Sequence, residues 1–388
     1  MKPLIVHISS DYPDPLQPDK TRAILNLVEA TPEYRHVVYS LNRVDGLGGI
    51  ADVSFGEDRT AISYGALPRG LFWEGRLDAV ADWIIANLKM KKIAPDLIEA
   101  HKITVEGVIG QRLSEAFGCP LVCDIQGGTD VKILKYKINM HRRFRAIAAR
   151  ASVVFPFAPW ALEPFSKAVG LDPAKCRFLP VLPGFDTLSP SASSGADRLV
   201  TMLRFSTTKN KNLKGLTEAV RKLAVKRPAL TLDVFGGGDP GCLLRVQKQV
   251  RDSGMADRII LRGPIANDRL PKMLGQYSAL VMPSFSETYG LVYAEALFCG
   301  VPVMFSKDRA IDGFFDAKTI GYACDPGSVD DLAAGIDYLL SHEAELKAGI
   351  AKMQKSGALD LIRRKGIIET YRSGLNEALG VVRKAEAA

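Results

Sequence analysis

The chain has 388 residues, 47% of them hydrophobic and 24% charged, with a net charge of +8 at neutral pH. That composition excludes a disordered or fibrous chain, and at roughly 100–200 residues per domain it predicts two domains. No apolar run approaches the ~20 residues of a membrane-spanning helix. The positive balance favours anionic partners (phosphates, a membrane surface or nucleic acid) without choosing among them.

The first stretch, "MKPLIVHISSDYP", reads as a buried strand; a signal peptide needs a longer apolar core and a small-residue cleavage site. Further strand candidates in the first half are 36–41, 96–101, 120–125, 152–157 and 178–182. The second half offers 199–205, 231–236, 259–263, 279–284 and 301–306. Helical patterns fall between them at 76–90, 105–117, 213–226, 268–276 and 329–340. Apolar strands alternating with helices imply parallel sheets covered on both faces, so the class is α/β with doubly wound sheets. The stretch 186–198, "DTLSPSASSGAD" and its neighbours, has no periodicity and reads as a linker. The expected organisation is therefore a domain 1–185, a linker 186–198, a second domain 199–365 and a C-terminal helix 366–388. Whether that helix returns to the first domain is left open, and it ends in a frayed "KAEAA".

The six cysteines form no CxxC pair and read as reduced thiols, and the five histidines show no metal-ligand spacing. Lys132, Lys135, Lys137, Arg142, Arg143, Arg145 and Arg150 fall in a stretch, 131–162, without any acid. Ile133, Leu134, Met140, Phe144 and Ile147 recur there at helical spacing, so an amphipathic helix on an anionic membrane competes with an ordinary solvated helix.

Ligands of open α/β sheets bind beyond the carboxyl ends of strands, and the unusual residues gather there. After 279–284 come Glu287, Tyr289 and Gly290, with a helix starting at Leu291 and Glu295 inside it. A helix start suits phosphate, and carboxylates beside it fit hydroxyl groups of sugars. Capping by Glu287 and solvation of Glu295 is the bland alternative. Arg204 and Lys209 follow the strand 199–205 and could neutralise a diphosphate without a metal. Gly236 opens "GGGD" after 231–236 and permits close backbone approach.

Together these residues resemble the GT-B glycosyltransferases of family four (glycosyl transferases group 1). Glu287 and Glu295 match its E-x7-E pattern, Arg204 and Lys209 its Arg–Lys pair, and "PKMLGQYSALVMPS", "PDLIEAH" and "LPGFD" look like its landmarks. The resemblance implies two Rossmann-like domains facing a central cleft. It implies that Arg204 and Lys209 hold the donor diphosphate, Glu287 the transferred sugar and Glu295 the ribose. Backbone N–H groups of Tyr289, Gly290 and Leu291 would meet phosphate or sugar, and Arg262 and Gly263 the base. It further implies a retaining, metal-independent transfer from a nucleotide sugar, UDP- or GDP-linked, to a glycan or lipid-linked acceptor of lipopolysaccharide, capsule or exopolysaccharide type. No cofactor is expected, and the absence of any Asp-x-Asp agrees with the metal-free scheme. The expected location is cytoplasmic, with the basic segment 131–150 touching the inner face of a membrane.

Two departures stand out. "SDYPDPLQPDKT" replaces the glycine pair that relatives often carry after the first strand. Gln126, in "DIQGGTD", stands where many relatives have histidine, and a glutamine cannot act as a general base. Asp130 and His101 match acceptor-side positions, although His101 reads equally as a core histidine. A non-catalytic nucleotide-sugar scaffold is the alternative from another class. A nucleic-acid protein is disfavoured because no RNA motif or helix-turn-helix signature accompanies the basic pI, and an epimerase because its histidine and acid pattern is not evident.

Overall fold

The computed structural model describes residues 2–46, 48–67, 72–193 and 195–380. The end of the expected C-terminal helix, 381–388, lies outside them. The chain divides into two compact units. The first comprises Met1–Phe157, Ala161–Leu182 and Lys365–Ala388, and the second Ala158–Trp160 and Pro183–Arg364.

In the first unit the strands are β1 (Leu4–Ser9), β2 (Arg35–Asp45), β3 (Ile50–Ser54), β4 (Arg59–Ala66), β5 (Leu97–Ala100), β6 (Leu121–Ile125) and β7 (Ala151–Pro156). They form one sheet in the order β3-β4-β2-β1-β5-β6-β7. All pairs are parallel except the antiparallel edge pair β3–β4. β1 and β5 are buried along their whole length, as strands covered on both faces must be. The sequence gives no warning of β3 because that edge strand is almost wholly exposed and carries no apolar run. The expected strand 178–182 is not one; 176–178 only brush β7 through a single bridge from Cys176 to Val154. The last helix, Arg364–Ala378, sets Ile367, Tyr371 and Leu375 into the core formed by Leu97, Val122, Val153 and Phe155. Gly374 permits that docking, since a Cβ there would lie 2.5 Å from the Phe155 ring.

The segment 131–150 forms the helices Gly128–Tyr136 and His141–Arg150. Its apolar residues do not face outward as a lipid-binding stripe would. Leu134, Met140, Phe144 and Ile147 are buried, each contributing roughly 1.5–3 kcal/mol to the core, so they are not available to lipid. The exposed side carries Tyr136 and Ile138 with Lys132, Lys135, Arg142 and Arg145.

The second unit holds β8 (Arg198–Met202), β9 (Thr231–Phe235), β10 (Ile259–Gly263), β11 (Ala279–Val281), β12 (Val303–Ser306) and β13 (Gly321–Cys324). The order is β10-β9-β8-β11-β12-β13, with every pair parallel. Helices cap themselves where the sequence provides the residue: the Asp239 carboxylate accepts from Cys242 N at 2.9 Å and Ser328 Oγ from Asp331 N at 3.1 Å. The stretch expected as a linker is tied down here, with Ser189 N donating to Phe298 O at 2.7 Å and Ser191 Oγ to Gly300 O at 3.0 Å.

Candidate active site

In the second sheet β8 and β11 are neighbours, and the chain leaves them toward opposite edges. Such a reversal opens a crevice at the strands' carboxyl ends, where open α/β sheets bind ligands. The loops that leave β8 and β11 there are latched together. Phe285 N donates to Asn210 O, and Asn210 Nδ2 to Ser286 O, both at 2.8 Å. Lys211 forms an ion pair with Glu287. Asn212, at φ 55°, caps the following helix by accepting from Gly215 N at 3.1 Å, and donates to Pro326 O at 2.7 Å.

Arg204 and Lys209 are both exposed on this loop. Neither side chain has an acid or hydrogen-bond partner among the described residues, so both charges remain available to an anion. The cation that touches Glu287 is Lys211, which the spacing argument passed over. A lysine two residues from the expected one is invisible to a motif counted along the chain. Glu287 also accepts from Thr288 N at 3.1 Å. Trp160 Nε1 donates to Thr288 O at 3.0 Å, and the Arg309 guanidinium lies 5.2 Å from the Trp160 ring centroid. Nothing in the sequence marks that bracing.

Gly290 sits at φ +74° before the helix Leu291–Phe298, and a Cβ on it would lie 2.5 Å from the Tyr293 ring. Both facts demand glycine, and the first N–H groups of the helix have no acceptor within it. Tyr289 is buried edge-on against Phe314, its hydroxyl without a partner among the described residues. Glu295 is 8% exposed. Burial raises its carboxyl above the usual range, while Gly184 N, 3.3 Å away in "LPGFD", pulls it back. Glu287 and Glu295 therefore differ: one is held by a lysine, the other by a single backbone donor. Gly236, at φ +155°, passes under the Leu203 carbonyl where no side chain fits. Arg262 Nε lies 3.1 Å from the buried Asp233, which also accepts from Tyr277 Oη at 2.6 Å. Arg262 is thus engaged in an ion pair next to Gly263, at φ +76°.

The first unit places Gln126 at the end of β6, half-buried, with its backbone N donating to Asp130 Oδ2 at 2.9 Å. Asp130 is fully buried and also accepts from Thr104 Oγ1 at 2.6 Å, so its bonds run inward. Burial pushes its carboxyl up to about 7, against the pull of Thr104, Lys102 and Gln126 N. His101 is likewise fully buried, 2.6 Å from Asp124. The loop after β1 is organised without a glycine pair. Asp14 accepts from Lys20 Nζ, Leu16 N, Asn42 Nδ2 and Gln17 N at 2.8–2.9 Å, and Lys102 pairs with Asp11. A cavity of about 1330 Å³, lined by Lys2, Tyr34, Arg35, Asp58 and Asp96 among others, opens at the amino ends of this sheet. That is the wrong end for a ligand of an α/β sheet, so size does not make it the site.

Two Rossmann-like units, the second with this constellation at its switch point, define the class: a GT-B fold. Residues 194–356 match the family described as glycosyl transferases group 1. Among curated relatives it is 29% identical over 291 residues to the D-inositol 3-phosphate glycosyltransferase of Pseudarthrobacter chlorophenolicus, a match covering 68% of this chain and 67% of the relative. It spans only 55% of the length of the same-named enzyme of Paenarthrobacter aurescens. Among solved structures it resembles the apo form of the lipopolysaccharide outer core galactosyltransferase WaaB, with TM-score 0.66, 14% identity and 96% and 99% of the two chains covered. It also resembles Anabaena HepE in complex with UDP, with TM-score 0.67, 18% identity and 96% and 99% covered.

Proposed function

We propose that the protein is a retaining, metal-independent glycosyltransferase that moves a hexosyl group from a nucleotide sugar to a glycan or lipid-linked acceptor. The observation that carries the reading is a pair of exposed cations, Arg204 and Lys209, without partners among the described residues, at the carboxyl end of the switch-point strand, one loop away from Glu287. Cations there stabilise the negative charge that builds on a departing diphosphate, and one such donor is worth about 3 kcal/mol. The open helix start at Leu291 adds N–H groups aimed at the same charge. Glu287, oriented by Lys211, accepts hydrogen bonds from sugar hydroxyls, and Glu295 from the ribose. A glutamine at 126 cannot act as a general base, so in this scheme the acceptor's proton passes to the leaving phosphate on the same face of the sugar. The UDP bound by HepE supports a nucleotide-sugar donor, and the likeness to WaaB, a lipopolysaccharide outer core galactosyltransferase, supports a polysaccharide or lipopolysaccharide acceptor. Exposed Tyr136 and Ile138, in a stretch that also exposes Lys132, Lys135, Arg142 and Arg145, support contact with an anionic membrane.

Screening UDP-, GDP- and ADP-sugars for hydrolysis and acceptor-dependent release of the nucleoside diphosphate tests the reading. One donor class should turn over without added metal. Glu287→Ala, Lys211→Ala and Lys209→Ala should each lower kcat about 10²–10³-fold. Binding of a donor with no turnover toward any acceptor extract would leave the non-catalytic scaffold instead.

A further inference from the structure

His7, His36 and His101 lie far apart in sequence, yet the first unit threads them into one line. His36 Nε2 lies 2.8 Å from Thr31 O, His36 Nδ1 2.8 Å from His7 Nε2, His7 Nδ1 3.0 Å from His101 Nε2, and His101 Nδ1 2.6 Å from Asp124 Oδ2. Glu99 Oε2 approaches His7 Nδ1 at 3.3 Å and accepts from Tyr371 Oη at 2.5 Å. The trio His7, Glu99 and His101 has the donor atoms of a metal site, but its geometry is against one. The two rings are nearly coplanar, 8° apart, with centroids 5.3 Å apart. With nitrogens 3.0 Å apart and each about 1.15 Å from its ring centre, a straight line through both rings accounts for the whole separation. The in-plane axis of each nitrogen points at the other, as in N–H···N, rather than converging on a third point as metal ligands do.

The direction of every bond then follows. A carbonyl only accepts, so His36 Nε2 carries hydrogen and, in a neutral ring, Nδ1 accepts. His7 must donate from Nε2 and accept at Nδ1. His101 must donate from Nε2. Its Nδ1 faces a carboxylate oxygen at 2.6 Å, so the chain ends in one proton held between His101 and Asp124. Glu99 Oε1 and Asp124 Oδ1 are buried without a hydrogen-bond partner among the described residues.

We propose that this one-way histidine chain keeps His101 as an imidazolium clamped between Asp124 and Glu99, and that the stored proton makes the docking of the last helix on the first sheet pH-sensitive. Glu99 is the hinge of the effect, because Tyr371 of that helix bonds to it. When the proton leaves, Glu99 and Asp124 face each other as two buried carboxylates. The other charged groups facing the cluster are Glu106 beside His101 and Lys102 beside Asp124, with Glu33, Arg59 and Lys2 around His36. Burial alone would lower His101, but Asp124 and Glu99 raise it, and burial raises Glu99 to about 7. Both groups bind protons more tightly folded than unfolded. Their stabilisation is complete below their unfolded values and is lost as pH rises through and beyond 7. His7 and His36 are lowered by burial and act oppositely, costing stability as pH falls below about 6.5.

The test uses the full chain with 15N-labelled histidine. At pH 7, His101 should show both ring nitrogens protonated while His7 and His36 are neutral with hydrogen on Nε2. Amide protection of 365–378, corrected for intrinsic base catalysis, should fall about tenfold or more between pH 6.5 and 9. In Glu99→Gln, which keeps an acceptor for Tyr371, that fall should shrink at least severalfold; Tyr371→Phe should lower protection at every pH. A neutral His101 at pH 7, or a Glu99→Gln profile parallel to wild type, overturns the proposal.

Discussion

Single residues in this fold are decided by what lies across a strand or a loop. Asp130 and Arg204 both follow strands, yet one is sealed inside and the other exposed. The difference is set by partners: Asp130 has Thr104 and the Gln126 amide to bind, whereas Arg204 has no acid partner among the described residues. Burying a carboxyl has a measurable consequence. Asp130 is raised from an ordinary value of 3.8 to about 7, so the folded state holds its proton where the unfolded chain has lost it. Stability contributed this way is whole below about 4 and disappears as pH rises through about 7. Asp130→Asn keeps the neutral shape at every pH. Urea unfolding of the two proteins should show the variant gaining on wild type from pH 4 to 7 and running parallel above it; profiles parallel throughout would contradict the raised carboxyl.

At the scale of elements, the helix Leu291–Phe298 and the loop before it form one device. Gly290 supplies the left-handed backbone, Lys211 and Asn210 latch the loop to its neighbour, and Trp160 braces Thr288. Gly290→Ala should therefore cost about 2 kcal/mol or more in urea unfolding, from positive φ and the clash with Tyr293 together. It should lower donor turnover beyond what stability explains, because Glu287 is displaced; unchanged kcat with full stability would remove the loop from the site. Element positions were mostly legible beforehand: β1, β6, β9 and β10 lie within a residue or so of the apolar runs 4–9, 120–125, 231–236 and 259–263. Three strands went unread: the exposed edge strand β3, the mostly buried β4, whose apolar residues are broken by Thr60, Ser63 and Gly65, and β13, only four residues long with a glycine start. The run 178–182 is apolar without pairing in a sheet.

For the molecule as a whole, a charge of +8 has to be located before it means anything. No helix among the described residues is long and apolar enough to cross a membrane, so membrane contact would rest on the exposed side of 131–150. Reversing Lys132, Lys135 and Arg142 to glutamate should weaken sedimentation with vesicles of anionic phospholipid by more than about 1 kcal/mol per charge. Tyr136→Ser with Ile138→Ser should weaken it further, and equal sedimentation of all variants would exclude this surface. The sequence by itself determined the α/β class, the two-part organisation and the segments after strands that carry Arg204 and Glu287 and the helix that carries Glu295, because local periodicity and turn chemistry are written in neighbouring residues. Only the tertiary structure decided that Lys211 takes Glu287, that the apolar side of 131–150 faces inward, and that three scattered histidines form a line. Each of those depends on which strands lie side by side, and pairing between residues tens of positions apart leaves no local trace.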